Sequence, residues 1–230
     1  MATALPHRYL QEIDMRLIVF DCDGTLVDSQ QTIVTATRKA LAAFDLAVER
    51  KQILRNVGLP VEAAMRRHAP DVDEATLNEL VLLFRETYHS LNQQNDRGQV
   101  MFDGMYDLIC ALGGQTDIAL AIVTMKSRRG LNRVVDAYDI RRYFSALKSA
   151  DDGVGKPAPD LLLAAMDECG ATAANTIMVG DTSFDMMMAK AANVYAIGVA
   201  WGYQDIDEME EGGADAIAHK PDELAAMLRI

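Results

Sequence analysis

The stretch from Met15 to Ser29 constrains this chain most. In it four consecutive apolar residues, Leu17 to Phe20, run straight into Asp21-Cys22-Asp23-Gly24-Thr25. An unbroken apolar run rich in β-formers is what a strand buried on both faces requires, and such strands belong to sheets covered by helices. Gly24 permits a turn at positive φ, so the strand ends there and a loop opens. Asp21 and Asp23 therefore stand at the carboxyl end of a buried strand, where open α/β sheets place their ligands.

Residue types then suggest a chemistry. Like charges this close are unfavourable unless a proton or a cation compensates them. A hard divalent ion such as Mg²⁺ does so through oxygen ligands and often accompanies phosphate. A carboxylate can also attack phosphorus and form an aspartyl-phosphate. The second acid can protonate the leaving oxygen and later take a proton from water. The alternative is a polar turn with two solvated acids, and D-x-D-G alone does not separate the two readings.

Charge and composition narrow the partners. The net charge of −12 opposes nucleic acid and anionic membrane surfaces, both of which select basic faces. No apolar run approaches the roughly 18 residues of a membrane span, and MATALPHRYLQEIDM lacks the pattern of a secretory signal. Cys22, Cys110 and Cys169 are odd in number and lack C-x-x-C spacing, which fits reduced thiols in a cytoplasmic protein. With 50% hydrophobic and 24% charged residues, the chain can bury an ordinary core. The expected partner is a small molecule, and oligomeric state is not legible.

After Ser29 the periodicity is helical. Ile33, Thr37, Ala40, Leu41 and Phe44 share one face, as do Leu77, Leu80, Val81, Phe84, Tyr88 and Leu91. A third helix is expected over residues 61–68, after the turn Gly58-Leu59-Pro60. The polar stretch 92–98 reads as a linker. From Met101 strand and helix alternate, with strands expected at 118–123, 146–148, 176–179 and 194–199, and Pro221 opening a closing helix. This pattern predicts an α/β core, Rossmann-like, with a parallel sheet and helices on both faces.

A βαβ unit takes roughly 30 residues or more, yet Phe20 and Ile118 are 98 apart. The excess predicts an all-α cap over residues 29–100 inserted into a core of 1–28 and 101–230. An insert rooted beside a site can close over it and exclude water. It could equally be a packing subdomain that never moves.

Other expected strand ends carry residues suited to phosphate and metal. Thr124 follows the run 118–123, Lys156 lies in Gly155-Lys156-Pro157, and Asp181 and Asp185 flank a helix start four residues apart. Singly, each could be a cap, a turn or an acid favoured by a helix dipole. Lys126 and Arg128 read as a solvated helix start rather than an anion site. In the insert Gly58, Leu59 and Arg66, with Arg67 and His68, are the specificity candidates, Gly58 because it would let backbone approach a small substrate.

Taken in order, D-C-D-G-T-L (21–26), Thr124, G-K-P-A-P-D (155–160) and G-D-T-S-F-D (180–185) resemble the four motifs of the haloacid dehalogenase-like hydrolases. The chain is most similar to their phosphoglycolate phosphatase-like group, whose helical cap follows the first motif, and the resemblance runs from Arg16 to Tyr203. It implies Asp21 as nucleophile, Asp23 as general acid and base, and Thr124, Met125 and Lys156 as the phosphate-contacting positions. It implies Mg²⁺ held by Asp21, the Asp23 carbonyl and Asp181, with Asp185 as a ligand or beside one. It also implies strand order 5-4-1-2-3 with the first strand central. Met125 departs from the pattern, since related phosphatases often carry Asn there. The expected function is a Mg²⁺-dependent phosphomonoesterase, with 2-phosphoglycolate the best single substrate. A sugar phosphomutase of the same group is the alternative, and a phospho-accepting signalling domain is the alternative from another class.

Overall fold

β1 (Arg16–Phe20) is the central strand of a six-stranded sheet, flanked by β4 (Ile118–Val123) and β6 (Thr176–Gly180). Strands are numbered along the chain of a computed structural model, which describes residues 15–94 and 99–229. Residues 1–14, which carry the expectation of no secretory signal, lie outside the described residues. β5 (Phe144–Lys148) continues beyond β4, while β7 (Tyr195–Val199) and β8 (Ala216–Ala218) continue beyond β6. Every pair is parallel, with Leu17 opposite Ala119 on one side and Thr176 on the other. The order β5-β4-β1-β6-β7-β8 is the expected 5-4-1-2-3 with one edge strand added. With only three residues, β8 is too short for its alternation to announce it.

Alternation along β1 builds two apolar layers. Ile18 and Phe20 face one side with Leu120, Ile122, Ile177 and Val179. There they pack on α5 (Met105–Gly113), α6 (Arg128–Ala137) and α10 (Pro221–Leu228). Leu17 and Val19 face the other side, against α7 (Asp160–Glu168) and α8 (Ser183–Ala191). That layer includes Ala119 and Ala121, whose small side chains let these helices approach the sheet. Each fully buried large aliphatic side chain contributes about 1.5–3 kcal/mol, so β1 is anchored from both faces. Consequently the carboxyl ends of β1, β4 and β6 are held in one row.

The helical insert leaves the core after β2 (Val27–Asp28) and returns at β3 (Val100–Met101), two short strands that pair antiparallel. Between them lie α1 (Gln30–Ala42), α2 (Arg50–Arg55), α3 (Val61–His68) and α4 (Glu74–Gln94). Ala40 and Leu41 of α1 pack on Leu80 of α4, while Met65 of α3 meets Leu77 and Val81. α4 extends into the expected linker: the Asn92 side chain donates to the carbonyl of Tyr88 at 2.9 Å, which keeps a polar residue within the helix. Residues 95–98 of that linker lie outside the described residues. α6 begins at Arg128 rather than Lys126, because the Ser127 hydroxyl caps it by accepting from the Gly130 N–H.

Candidate active site

The loops after β1 and β6, with the loop bearing Lys156, converge on one buried cluster, and the loop after β4 adjoins it through Lys126 and Asp23. The backbone N–H of Asp21 donates to Val179 O at 2.9 Å, which ties the end of β1 to β6. Lys156 reaches in with its ammonium 2.7 Å from Asp21 Oδ1 and 2.6 Å from Asp185 Oδ1. Asp181 accepts from the Thr25 hydroxyl on one oxygen (3.1 Å) and from the Tyr203 N–H on the other (2.9 Å). Asp185 accepts from the N–H and hydroxyl of Thr182, and Thr182 and Asp185 together form the capping box of α8. Asp21, Asp181, Asp185, Thr124 and Lys156 are all buried. Gly24, at φ +83°, and Gly202 lie so close to Asp181 that a Cβ on either would collide with its carboxylate.

This cluster is short of positive charge. Asp21, Asp181 and Asp185 each offer an oxygen within 4.8 Å of the others, with the single ammonium of Lys156 beside them. Among the described residues, Asp21 Oδ1, Asp185 Oδ1 and Lys156 Nζ have no partners beyond their mutual ion pairs. Burial therefore pushes the Asp21 carboxyl up to about 7, against the pull of Lys156. Burial, reinforced by Asp21 and Asp185, raises Asp181 well above the carboxylate range. For Lys156 burial acts downward, but Asp185 and Asp21 outweigh it and hold the ammonium above its usual range. A buried set of oxygens carrying excess negative charge fits a hard divalent cation.

Asp23 turns away from this cluster toward a cavity between insert and core. Its Oδ1 lies 2.6 Å from Lys126 Nζ and accepts a hydrogen bond from the Ser29 hydroxyl. Lys126 is not at a solvated helix start. It is buried, and it also donates to Tyr88 Oη of α4 (2.9 Å) and to Gln99 Oε1 (2.6 Å). Arg128 differs, pairing with Asp152 near the surface. Tyr203 Oη accepts from the Ser29 N–H at 2.7 Å, linking this network to the loop that holds Asp181. The sequence reading gives Ser29, Tyr203, Tyr88, Gln99 and Thr25 no role in the site, and it gives Lys126 only that of a solvated helix start. A basic residue three positions past a buried strand was the one available signal, for Lys126.

Insert residues divide between cavity and packing. Gly58 and Leu59 line the cavity with Met125. Gly58 adopts φ +94°, and a Cβ there would stand 2.7 Å from Thr182 Oγ1, so its smallness serves the approach of insert to core. Met125 lies against Gly155, where an added Cβ would be 2.5 Å from its sulfur and 2.8 Å from Pro60 Cγ. Arg66 is outside the cavity lining. Its guanidinium is bound to the Val72 carbonyl and to Glu74, both within the insert. Arg67 lies over the Phe184 ring, and His68 lines the cavity.

Known proteins resemble the chain over most of its length. A profile of the haloacid dehalogenase-like hydrolase family matches residues 18–199. A probable phosphatase, IndB, of Dickeya dadantii is 34% identical over 197 residues, covering 84% of this chain and 85% of that protein. A phosphoglycolate phosphatase of Escherichia coli is 27% identical, with 94% of each chain covered. The crystal structure of a hydrolase from Pseudomonas syringae superposes with a TM-score of 0.82 at 25% identity, covering 93% of this chain and 97% of that one. The chain therefore belongs to the haloacid dehalogenase-like hydrolase family and is a phosphatase of its phosphoglycolate phosphatase-like group.

Proposed function

We propose that this phosphatase hydrolyses the monoester of a small organic molecule by passing the phosphoryl group through Asp21, in the cytoplasm and with Mg²⁺. One observation carries the reading: Asp21, Lys156, Asp181 and Asp185 meet in one buried cluster while Asp23 points from the same loop into the adjoining cavity. A carboxylate oxygen of Asp21 attacks phosphorus, forming an aspartyl-phosphate as the bond to the leaving oxygen breaks. Protonated Asp23 gives its proton to that oxygen and releases the alcohol. As a carboxylate, Asp23 then takes a proton from water while the water oxygen attacks phosphorus, freeing phosphate and restoring Asp21.

Lys156 and Thr124, with the backbone at Met125, would bind phosphoryl oxygens. Asp21, Asp181 and the Asp23 carbonyl would hold Mg²⁺, with Asp185 as a further ligand or support. When bound, the ion supplies positive charge to the cluster and to the phosphoryl group. Ser29 and Lys126 orient Asp23. The insert acts as a cap, with Gly58 and Leu59 in its share of the cavity wall.

The test is phosphate release from a panel of phosphorylated acids, sugars and nucleotides, including 2-phosphoglycolate, with and without Mg²⁺. Asp21→Asn should abolish release, and Asp23→Asn should reduce it by about 10²–10⁴-fold. A sugar phosphate converted to its isomer with little free phosphate would replace this reading by a mutase. A phosphoprotein lasting for minutes would replace it by a signalling domain.

A further inference from the structure

Resting on the phosphatase reading above, we propose that the physiological substrate carries a bulky, largely apolar body, of the size of a fused aromatic ring or larger, on its phosphate. The cavity into which Asp23 points has a volume of about 710 Å³. That volume lies within the range of pockets that enclose drug-sized ligands. A two-carbon acid phosphate would leave most of it wet. The wall includes Ser127, Gly130, Val134 and Ala137, one face of α6. At 1.5 Å per residue this face extends for about 15 Å, well beyond the reach of a glycolate from the phosphoryl position.

The chemistry of the wall agrees with its size. Leu59, Met65 and Phe84 of the insert face Met125, Val134 and Tyr138 of the core across this space. Met125, next to Thr124, lines this space with a thioether, and methionine adapts its shape to apolar and aromatic ligands. Arg85, Arg129 and Arg133 also line the cavity. Glu62 and Asp151 share the same lining, so the cavity's charges are mixed and its apolar wall sets the preference. Burying an apolar body here contributes roughly 25 cal/mol per Å² removed from water, a gain that a small hydrophilic ester cannot draw on.

The experiment compares kcat/KM for naphthyl phosphate and 2-phosphoglycolate with Mg²⁺, in the native protein and in Ala64→Trp, which fills the cavity from α3. Calorimetry with a non-hydrolysable naphthylmethyl phosphonate measures occupancy without turnover. The proposal expects kcat/KM for the aryl ester to exceed that for the glycolate ester at least tenfold. Ala64→Trp should lower this ratio at least tenfold, and the phosphonate should bind at least tenfold more tightly than inorganic phosphate. Should Ala64→Trp fail to fold by circular dichroism, Ala137→Trp fills the cavity from the opposite wall. A ratio favouring 2-phosphoglycolate, or a phosphonate binding no better than phosphate, overturns the proposal. If neither ester is hydrolysed, the wider panel above decides the proposed function, and phosphonate binding still decides what the cavity accepts.

Discussion

Lys156 is the positive charge that makes a buried group of aspartates tolerable, and its removal should show this. Replacing one partner of a buried ion pair leaves uncompensated charge and destabilises by about 3–5 kcal/mol. Lys156→Met should therefore lower the urea midpoint sharply, and added Mg²⁺ should recover part of the loss. Metal dependence also acquires a pH sign. Asp21 rises from 3.8 to about 7 on folding, so the metal-free folded state holds a proton that the unfolded chain has released. Stability from that protonated carboxyl is present below pH about 4 and is lost as pH rises through about 7. A divalent cation favours the ionised cluster, so the Tm gain from Mg²⁺ should be larger near pH 8 than near pH 5. Equal gains in thermal melts at the two pH values would contradict this. In the proposed mechanism Lys126, paired with Asp23 at 2.6 Å, positions the group that transfers the proton. Lys126→Met should lower kcat by about tenfold or more, within the range of general acid–base contributions, while changing KM less.

At the scale of elements, the turn before α3 is the point at which insert and core fit together. Gly58 needs its φ of +94°, and Thr182 Oγ1 occupies the space that a Cβ would enter. A non-glycine residue in a left-handed conformation loses roughly 1–2 kcal/mol, and the clash adds to it. Gly58→Ala should lower Tm by several degrees and raise KM, because the loop displaced from Thr182 also lines the cavity. α4 matters for a different reason. Its length carries Tyr88 to Lys126 and so joins an insert helix to the residue that grips Asp23. Helical periodicity over Leu77 to Leu91 predicts the helix from sequence, but it assigns Tyr88 to the apolar stripe. Only packing turns the phenol toward a core lysine.

For the molecule as a whole, the paired strands β2 and β3 are the two connections between insert and core, and they set how the insert can move. If the insert closes over substrate, Mg²⁺ with a phosphate mimic such as vanadate should slow amide exchange in β2, β3 and α4 together. Exchange unchanged in all of them would make the insert a fixed packing unit. The sequence by itself determined the parallel core, the all-helical excess after Ser29 and the strand-end placement of Asp21, Thr124, Lys156 and Asp181. These follow from local periodicity, chain length and the turns that glycine and proline permit, all of which act between near neighbours. Tertiary structure alone decided that Lys126 is buried on Asp23, that Gly58 serves Thr182, that Arg66 is engaged within the insert, and that a cavity of about 710 Å³ lies beyond Asp23. Except at Arg66, whose partners lie six and eight positions away, these features arise between residues tens to hundreds of positions apart, and they exist only once the insert has packed against the sheet.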